Sequence, residues 1–152
     1  MQTVYKIVIA DTSCFILLDN IGELDLLKSL FGNVITTPVI VKEFGSALPE
    51  WVQIREVKDL QFQSTLDVDQ GEASAIALAF ESEPSLVVID DDKARKLAKR
   101  LNLNITGSLG IFLRAKREGI IPAIKPIIAK IQQTNFRYSQ KVLNEILMLA
   151  EE

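Results

Sequence analysis

Two short apolar runs, each ended by aspartate, constrain this chain more than any other feature. Val4 to Ala10 is nearly continuous in β-branched and aliphatic residues and runs into Asp11; Leu86 to Ile89 is of the same kind and runs into Asp90-Asp91-Asp92. Near-continuous runs of this type are expected of strands buried on both faces, which demands helices above and below the sheet. Between and after them lie stretches with helical spacing. Alternation of strands and helices implies parallel βαβ connections and a layered α/β domain. A parallel sheet of this kind keeps its ligands at the carboxyl ends of its strands, and that is where these aspartates fall.

The remaining elements follow from local signals. Asp11-Thr12-Ser13 supplies capping side chains for a helix beginning near Cys14. Leu24, Leu27 and Leu30 have helical spacing within Glu23 to Leu30, and Gly32 stops that helix before a short strand, Val34 to Thr36. Thr37-Pro38 starts the next helix with proline in its first position, which puts Glu43 on that helix. Ala47 to Leu66 is the least regular stretch, with Val52 to Val57 an option for an edge strand. Asp69-Gln70-Gly71-Glu72 opens a helix whose apolar face is Ala73, Ile76, Ala77 and Phe80. Lys93 to Leu101 reads as a basic helix, Asn104 to Thr106 as the last strand and Ser108 to Glu118 as a helix ended by Gly119. Pro122 to Gln133 and Ser139 to Ala150 read as two closing helices, whose Ile124, Ile127, Ile128, Ile131, Val142, Ile146 and Leu149 either pack on the sheet or form a dimer surface. With 152 residues and no linker or repeat, one domain spanning 1–152 is expected, burying about 68–70% of the surface its unfolded chain exposes.

Asp11, Glu43, Glu72 and the pair Asp90 and Asp91 each have a structural excuse. Asp11 and the triple aspartate can cap helices, with Asp92 the expected cap of the basic helix. Asp69 and Glu72 have the spacing of a capping box, and Glu43 can face solvent. Capping, however, needs one acid per helix start, whereas VVIDDDKAR spends three. If three or four of these carboxylates converge, each like-charge pair at roughly 5 Å and an effective dielectric of about 20 costs on the order of 3 kcal/mol. Such a site is stabilised by a divalent cation. Mg²⁺ or Mn²⁺ takes carboxylate and water oxygens; bound, it lowers the pKa of an attacking water and neutralises charge on a phosphoryl group. Ser13 and Ser108 are candidates to hold a water or phosphate oxygen.

The chain has no histidine, which excludes Ser-His-Asp triads, HExxH zinc sites and imidazole bases. Its one cysteine, Cys14, excludes an intramolecular disulfide. No apolar stretch is long enough to span a bilayer and the N-terminus lacks signal-peptide features, so a cytoplasmic location is the default. A net charge of −3 argues against a general nucleic-acid coat protein but not against a nucleic-acid enzyme. Lys93, Arg95 and Lys96, then Lys99 and Arg100, follow the aspartates, and Arg114, Lys116 and Arg117 follow Thr106-Gly107-Ser108. These residues either border the acids as an RNA-contacting fringe or form solvated helix faces. Few aromatics accompany them, which gives base stacking little support. Trp51 and Phe62 read as core or interface residues.

VIADTSCFILLDNIGELDLLKSLFGNVITTPVIVKEF, DQGEASAIALA and LVVIDDDKARKLAKRLNLNITGSLGIFLRAKREGII together resemble a PIN domain, nearest to the compact prokaryotic branch related to VapC-type toxins, over roughly residues 4 to 121. The resemblance implies a three-layer α/β/α domain with a central, mainly parallel sheet. It also implies an Mg²⁺- or Mn²⁺-dependent ribonuclease, commonly a homodimer, held inactive by an antitoxin in toxin members. By position it makes Asp11 a central metal ligand, Glu43 a second acid, Glu72 an acid where many relatives have Asp, and Asp90 or Asp91 the final acid, with Ser13 a supporting hydroxyl. Ile89 stands where many relatives have threonine. Two other functions compete. A PIN-like module without turnover would bind RNA or a protein, and a receiver-type phosphoacceptor is suggested by the strand-end aspartates and Thr106. The receiver reading ranks last because the first strand ends in one Asp, not two.

Overall fold

A computed structural model describes residue 5 and residues 7–82 and 84–152; Val4 and Lys6, part of the expected first strand, lie outside the described residues. Five strands form one sheet: β1 (Ile7–Ala10), β2 (Asn33–Thr36), β3 (Val52–Ile54), β4 (Leu86–Val88) and β5 (Asn104–Thr106). Every pairing is parallel and the spatial order is β3-β2-β1-β4-β5. Ile9 sits opposite Ile35 on one side and Val87 on the other. The chain builds outward from β1 to β3, then crosses back and builds from β4 to β5. The strand order therefore reverses between β1 and β4, where the loops leaving two neighbouring strands part and a crevice opens at their carboxyl ends.

Val8, Ile9 and Ala10 are all fully buried, as are Val87 and Val88. Since successive side chains point to opposite faces of a strand, both faces of the central sheet are covered. The helices that flank it are α1 (Thr12–Asn20), α2 (Asp25–Leu30), α3 (Pro38–Phe44), α4 (Leu60–Ser64), α5 (Gln70–Phe80), α6 (Asp92–Arg100), α7 (Ser108–Arg117), α8 (Lys125–Gln132) and α9 (Gln140–Leu149). This is the α/β architecture expected from the sequence, with a sheet parallel throughout among the described residues.

Local chemistry sets the elements that carry acids. Thr37 caps α3 by accepting from the Ile40 N–H at 3.3 Å, Pro38 occupies the first turn, and Gly45 ends the helix at φ 75°. A buried hydrogen bond of 2.7 Å between the Thr37 and Ser74 hydroxyls pins α3 to α5. Asp69 caps α5 through the Glu72 N–H at 2.9 Å. Helix α5 is not amphipathic as the pattern suggested: Gly71 to Ala79 are buried all round, while Phe80, assigned to the apolar face, is 53% exposed and stacks on Phe62 with centroids 4.8 Å apart. A helix rich in alanine can be enclosed on every side because its neighbours approach closely.

Other boundaries moved. The irregular 47–66 stretch holds the edge strand β3 and a one-turn helix, α4, capped by Asp59. Helix α8 begins at Lys125, later than Pro122. Ile124, Ile127, Ile128, Ile131 and Ile146 are buried within the chain, whereas Val142 and Leu149 are exposed. The closing helices are held by Glu152, whose carboxylate accepts from the Ile124 N–H (2.7 Å), the Lys125 N–H (3.1 Å) and the Lys116 ammonium (3.1 Å). No helix among the described residues is long and apolar enough to cross a membrane.

Candidate acid centre

The crevice at the reversal point is a cleft of about 610 Å³ lined by Asp11, Glu43, Glu72, Asp90 and Asp91, with Thr12, Ser13 and Asp69 among its other walls. All five acids singled out in the sequence, spread over about 80 positions, thus meet in one place. Asp11 follows β1 directly and its N–H donates to the Val88 carbonyl at 3.2 Å, which locks the β1 exit to β4. Although it occupies the capping position of α1, its side chain makes no capping bond. Oδ1 of Asp11 is buried with no hydrogen-bond partner among the described residues. Burial, together with the charges of Asp69, Glu43 and Asp90, raises its pKa to about 7 against the opposing pull of the Thr12 N–H. Unpartnered buried carboxylate oxygens are rare because desolvation is costly.

Glu72, in the first turn of α5, is also buried. Burial, then the charges of Asp69, Asp91 and Asp11, push it up to about 8. Glu43 is more exposed; its Oε1 accepts from the Thr12 hydroxyl at 2.6 Å. Its carboxylate lies against the glycine of α5, so close that a β-carbon at Gly71 would stand 2.1 Å from Oε1. Glycine at 71 is therefore what lets α3 and α5 present Glu43 and Glu72 to the same cleft.

The aspartate run divides by role. Asp90 is fully engaged: it accepts from the Ser108 N–H (2.7 Å), the Ser108 hydroxyl (2.6 Å) and the Ser13 hydroxyl (3.4 Å). A carboxylate at the N-terminus of α7 is favoured by its free N–H groups and dipole. Asp91, not Asp92, caps α6, accepting from the Ala94 N–H at 3.0 Å. The expectation for Asp92 was off by one residue because β4 ends at Val88 and the chain needs Ile89 and Asp90 to reach the helix start. Asp92 does not line the cleft and makes an exposed pair with Lys96 at 3.1 Å.

The expected fringe of cations is largely committed elsewhere. Lys93 pairs with Asp67 at 3.1 Å and Lys96 with Asp92. Arg95 folds inward and donates to the Ile89 carbonyl at 2.9 Å, bracing the β4 exit. Arg114 lies over the Tyr5 and Phe31 rings, and Lys116 is held by Glu152. None of these residues lines the acid cleft.

Sequence reasoning missed Thr12, which orients Glu43, and treated Asp69 as a cap only. Asp69 does cap α5, but it also lines the cleft and is the largest charge acting on both Asp11 and Glu72. Its place three residues before Glu72 was the available signal.

Among the described residues, no three acids stand close enough to make a ready-formed metal shell. A small hard cation that keeps most of its waters is, however, held through one or two carboxylates. An all-oxygen donor set with one buried, unpartnered oxygen on Asp11 fits such an ion. Burial and, after it, the neighbouring like charges raise the pKa values of Asp11 and Glu72, and a bound cation would offset both effects.

Comparison with curated proteins finds no match to this chain, and comparison with solved structures finds none. A family model does match: DUF3368, described as a PIN domain, over residues 7–152. PIN domains are generally nucleases and typically use divalent metal ions. With a five-stranded parallel sheet, acids gathered at its reversal point and a family match over almost the whole length, the chain belongs to the PIN domain family.

Proposed function

We propose that this protein is an Mg²⁺- or Mn²⁺-dependent endoribonuclease that hydrolyses single-stranded RNA. The observation that carries the reading is Asp11, a buried carboxylate with an unpartnered oxygen, raised to about 7 and facing other acids at the switch point of a parallel sheet. Asp11 and Glu72 would hold the cation, with Asp91 beside them. Bound there, the ion supplies Lewis-acid polarisation of the phosphodiester and of the attacking water at neutral pH.

The chain's own residues set up the rest. Glu43 keeps Oε1 on Thr12, and its Oε2, unengaged among the described residues, can accept a hydrogen bond from water. Asp90 does not need to leave its serines to contribute. Held by Ser13 and Ser108, it fixes the starts of α1 and α7 against each other and adds negative charge that favours a cation in the cleft. Without histidine in the chain, proton transfer in the cleft falls to carboxylates and water.

The same reading includes a cytoplasmic homodimer and, if the protein is a toxin, an antitoxin partner. Ile54, Leu60, Phe80, Met148 and Leu149 are exposed apolar side chains suited to such contacts. Incubating single-stranded RNA with wild type and Asp11→Asn in Mg²⁺ or Mn²⁺ tests the catalytic reading. Cleavage by wild type only is expected; equal cleavage by both, or none by wild type with either ion, rejects it. Metal-independent RNA binding without cleavage would instead favour a PIN-like binding module.

A further inference from the structure

The acid cleft has a difficulty as a place to bind RNA. Six acidic side chains line it and no lysine or arginine does; Lys93 and Lys96, close behind the aspartates in sequence, make exposed ion pairs with Asp67 and Asp92. Protein cations therefore add little phosphate attraction beyond that of a bound metal ion, and a contact to another part of the nucleotide would add to affinity.

A second cleft, of about 350 Å³, is formed by α8, the 133–139 connection and α9. Buried Ile131 and Leu143 give it an apolar base. Phe136 and Tyr138 add two aromatic rings, and Arg137 a guanidinium whose Nη1 donates to the Thr134 and Phe136 carbonyls. Gln132 and Gln140 supply side-chain amides, each with a donor and an acceptor end; Gln140 gives its donor to Asn144 at 2.8 Å and keeps its carbonyl oxygen. Flat apolar rings flanked by amides and a guanidinium match a nucleobase, which has a stackable face and a hydrogen-bonding edge. The volume lies within the range of small-ligand sites.

Tyr138 is part of the wall of this second cleft and does not line the acid cleft. Its phenol lies near enough to Asp90 and to Cys14 that their charges add to burial in pushing it well above its usual range. This phenol, like any tyrosine's, is a hydrogen-bond donor at neutral pH. No partner holds its hydroxyl among the described residues.

We propose that this second cleft holds one base of a single-stranded RNA whose phosphodiester lies in the acid cleft, the base stacking on Phe136 and Tyr138 and meeting Gln132 and Gln140 at its edge. The inference rests on the ribonuclease reading for its ligand. The aromatics it uses come from the closing segment, distant in sequence from the acids and from the basic residues that few aromatics accompany.

The test uses the full chain carrying Asp11→Asn, so that RNA is bound but not cut. Fluorescence anisotropy with a labelled single-stranded oligoribonucleotide and Mg²⁺ gives Kd for this protein and for the same protein with Phe136→Ala or Gln132→Ala. Phe136→Ala is expected to weaken binding about tenfold. Gln132 is exposed, so its replacement leaves the core intact and is expected to cost about threefold. An abasic oligonucleotide of the same length should bind all three proteins weakly and alike. Equal affinity for intact and abasic RNA, or unchanged Kd in both variants, overturns the base cleft, as does failure to bind RNA at all. If wild type cleaves RNA while those affinities are unchanged, the base cleft falls and the ribonuclease reading stands. Base-dependent binding with no cleavage by wild type has the opposite meaning.

Discussion

The Asp90 carboxylate accepts hydrogen bonds from both the backbone N–H and the hydroxyl of Ser108, at 2.7 and 2.6 Å. Asp11, across the same cleft, has an oxygen that accepts none. Two carboxylates at the ends of neighbouring strands thus have opposite effects on the fold, and mutation separates them. Asp90→Asn weakens charge-assisted bonds to α7 and is expected to cost about 1–3 kcal/mol. Asp11→Asn removes a buried charge with poor compensation and should leave the metal-free protein as stable as wild type or more so. Denaturant unfolding of the two variants measures the contrast; a large loss on Asp11→Asn would contradict an unpartnered Oδ1.

The pH dependence follows from Asp11 near 7 and Glu72 near 8. Their folded values lie above the unfolded ones, so the folded state binds more protons and the contribution of these groups to stability falls as pH rises from about 4 to about 8. A cation competes with those protons. Mg²⁺ is therefore expected to bind on the order of tenfold more tightly at pH 8 than at pH 6, with proton release. Thermal denaturation with and without Mg²⁺ at both values reads this out; an equal rise in Tm at the two pH values would contradict it.

Gly71 tests the meeting of α3 and α5. A β-carbon there would reach within 2.1 Å of the Glu43 carboxylate, which sits at the end of a flexible side chain and can swing away. Gly71→Ala should leave stability within about 1 kcal/mol of wild type, since alanine favours a helix. Cleavage, by contrast, should drop at least about tenfold, because Glu43 is displaced from Thr12. Unchanged kcat in a folded Gly71→Ala protein would remove Glu43 from the proposed machinery.

Glu152 has the opposite pH behaviour. Burial works to raise its pKa, but the N–H groups of Ile124 and Lys125 and the Lys116 ammonium outweigh it and hold the carboxyl below the usual range. Its stabilising effect is present above the unfolded pKa and is lost as pH falls through the lower folded value. Glu152→Gln should destabilise the closing helices by about 1–3 kcal/mol at pH 7 and by less in acid. Equal losses at pH 7 and pH 3 would argue that the carboxylate's charge is irrelevant.

The acids were legible in the sequence because strand ends and helix starts are local signals, and the sheet order brings those positions together. Asp11, Glu43, Glu72, Asp90 and Asp91 all reach one cleft on that basis. What each carboxylate bonds to was not legible. The Ser108 clamp on Asp90 spans 18 residues and the Thr12 bond to Glu43 spans 31, and no periodicity encodes such pairs. The same limit applies to the lysines and arginines, whose local pattern is that of a basic helix whether they meet RNA, solvent or nearby acids. Phe80 was misplaced because a helix buried on all sides has no single apolar face to read.

Anomalous scattering from crystals equilibrated with Mn²⁺ tests the account most directly, because it locates the ion independently of any substrate. The expected result is a manganese peak in the acid cleft with Asp11 and Glu72 as its protein ligands, lost in Asp11→Asn. A cleft that stays free of manganese at millimolar Mn²⁺ and pH 8, or a peak bound elsewhere and indifferent to Asp11, would contradict it.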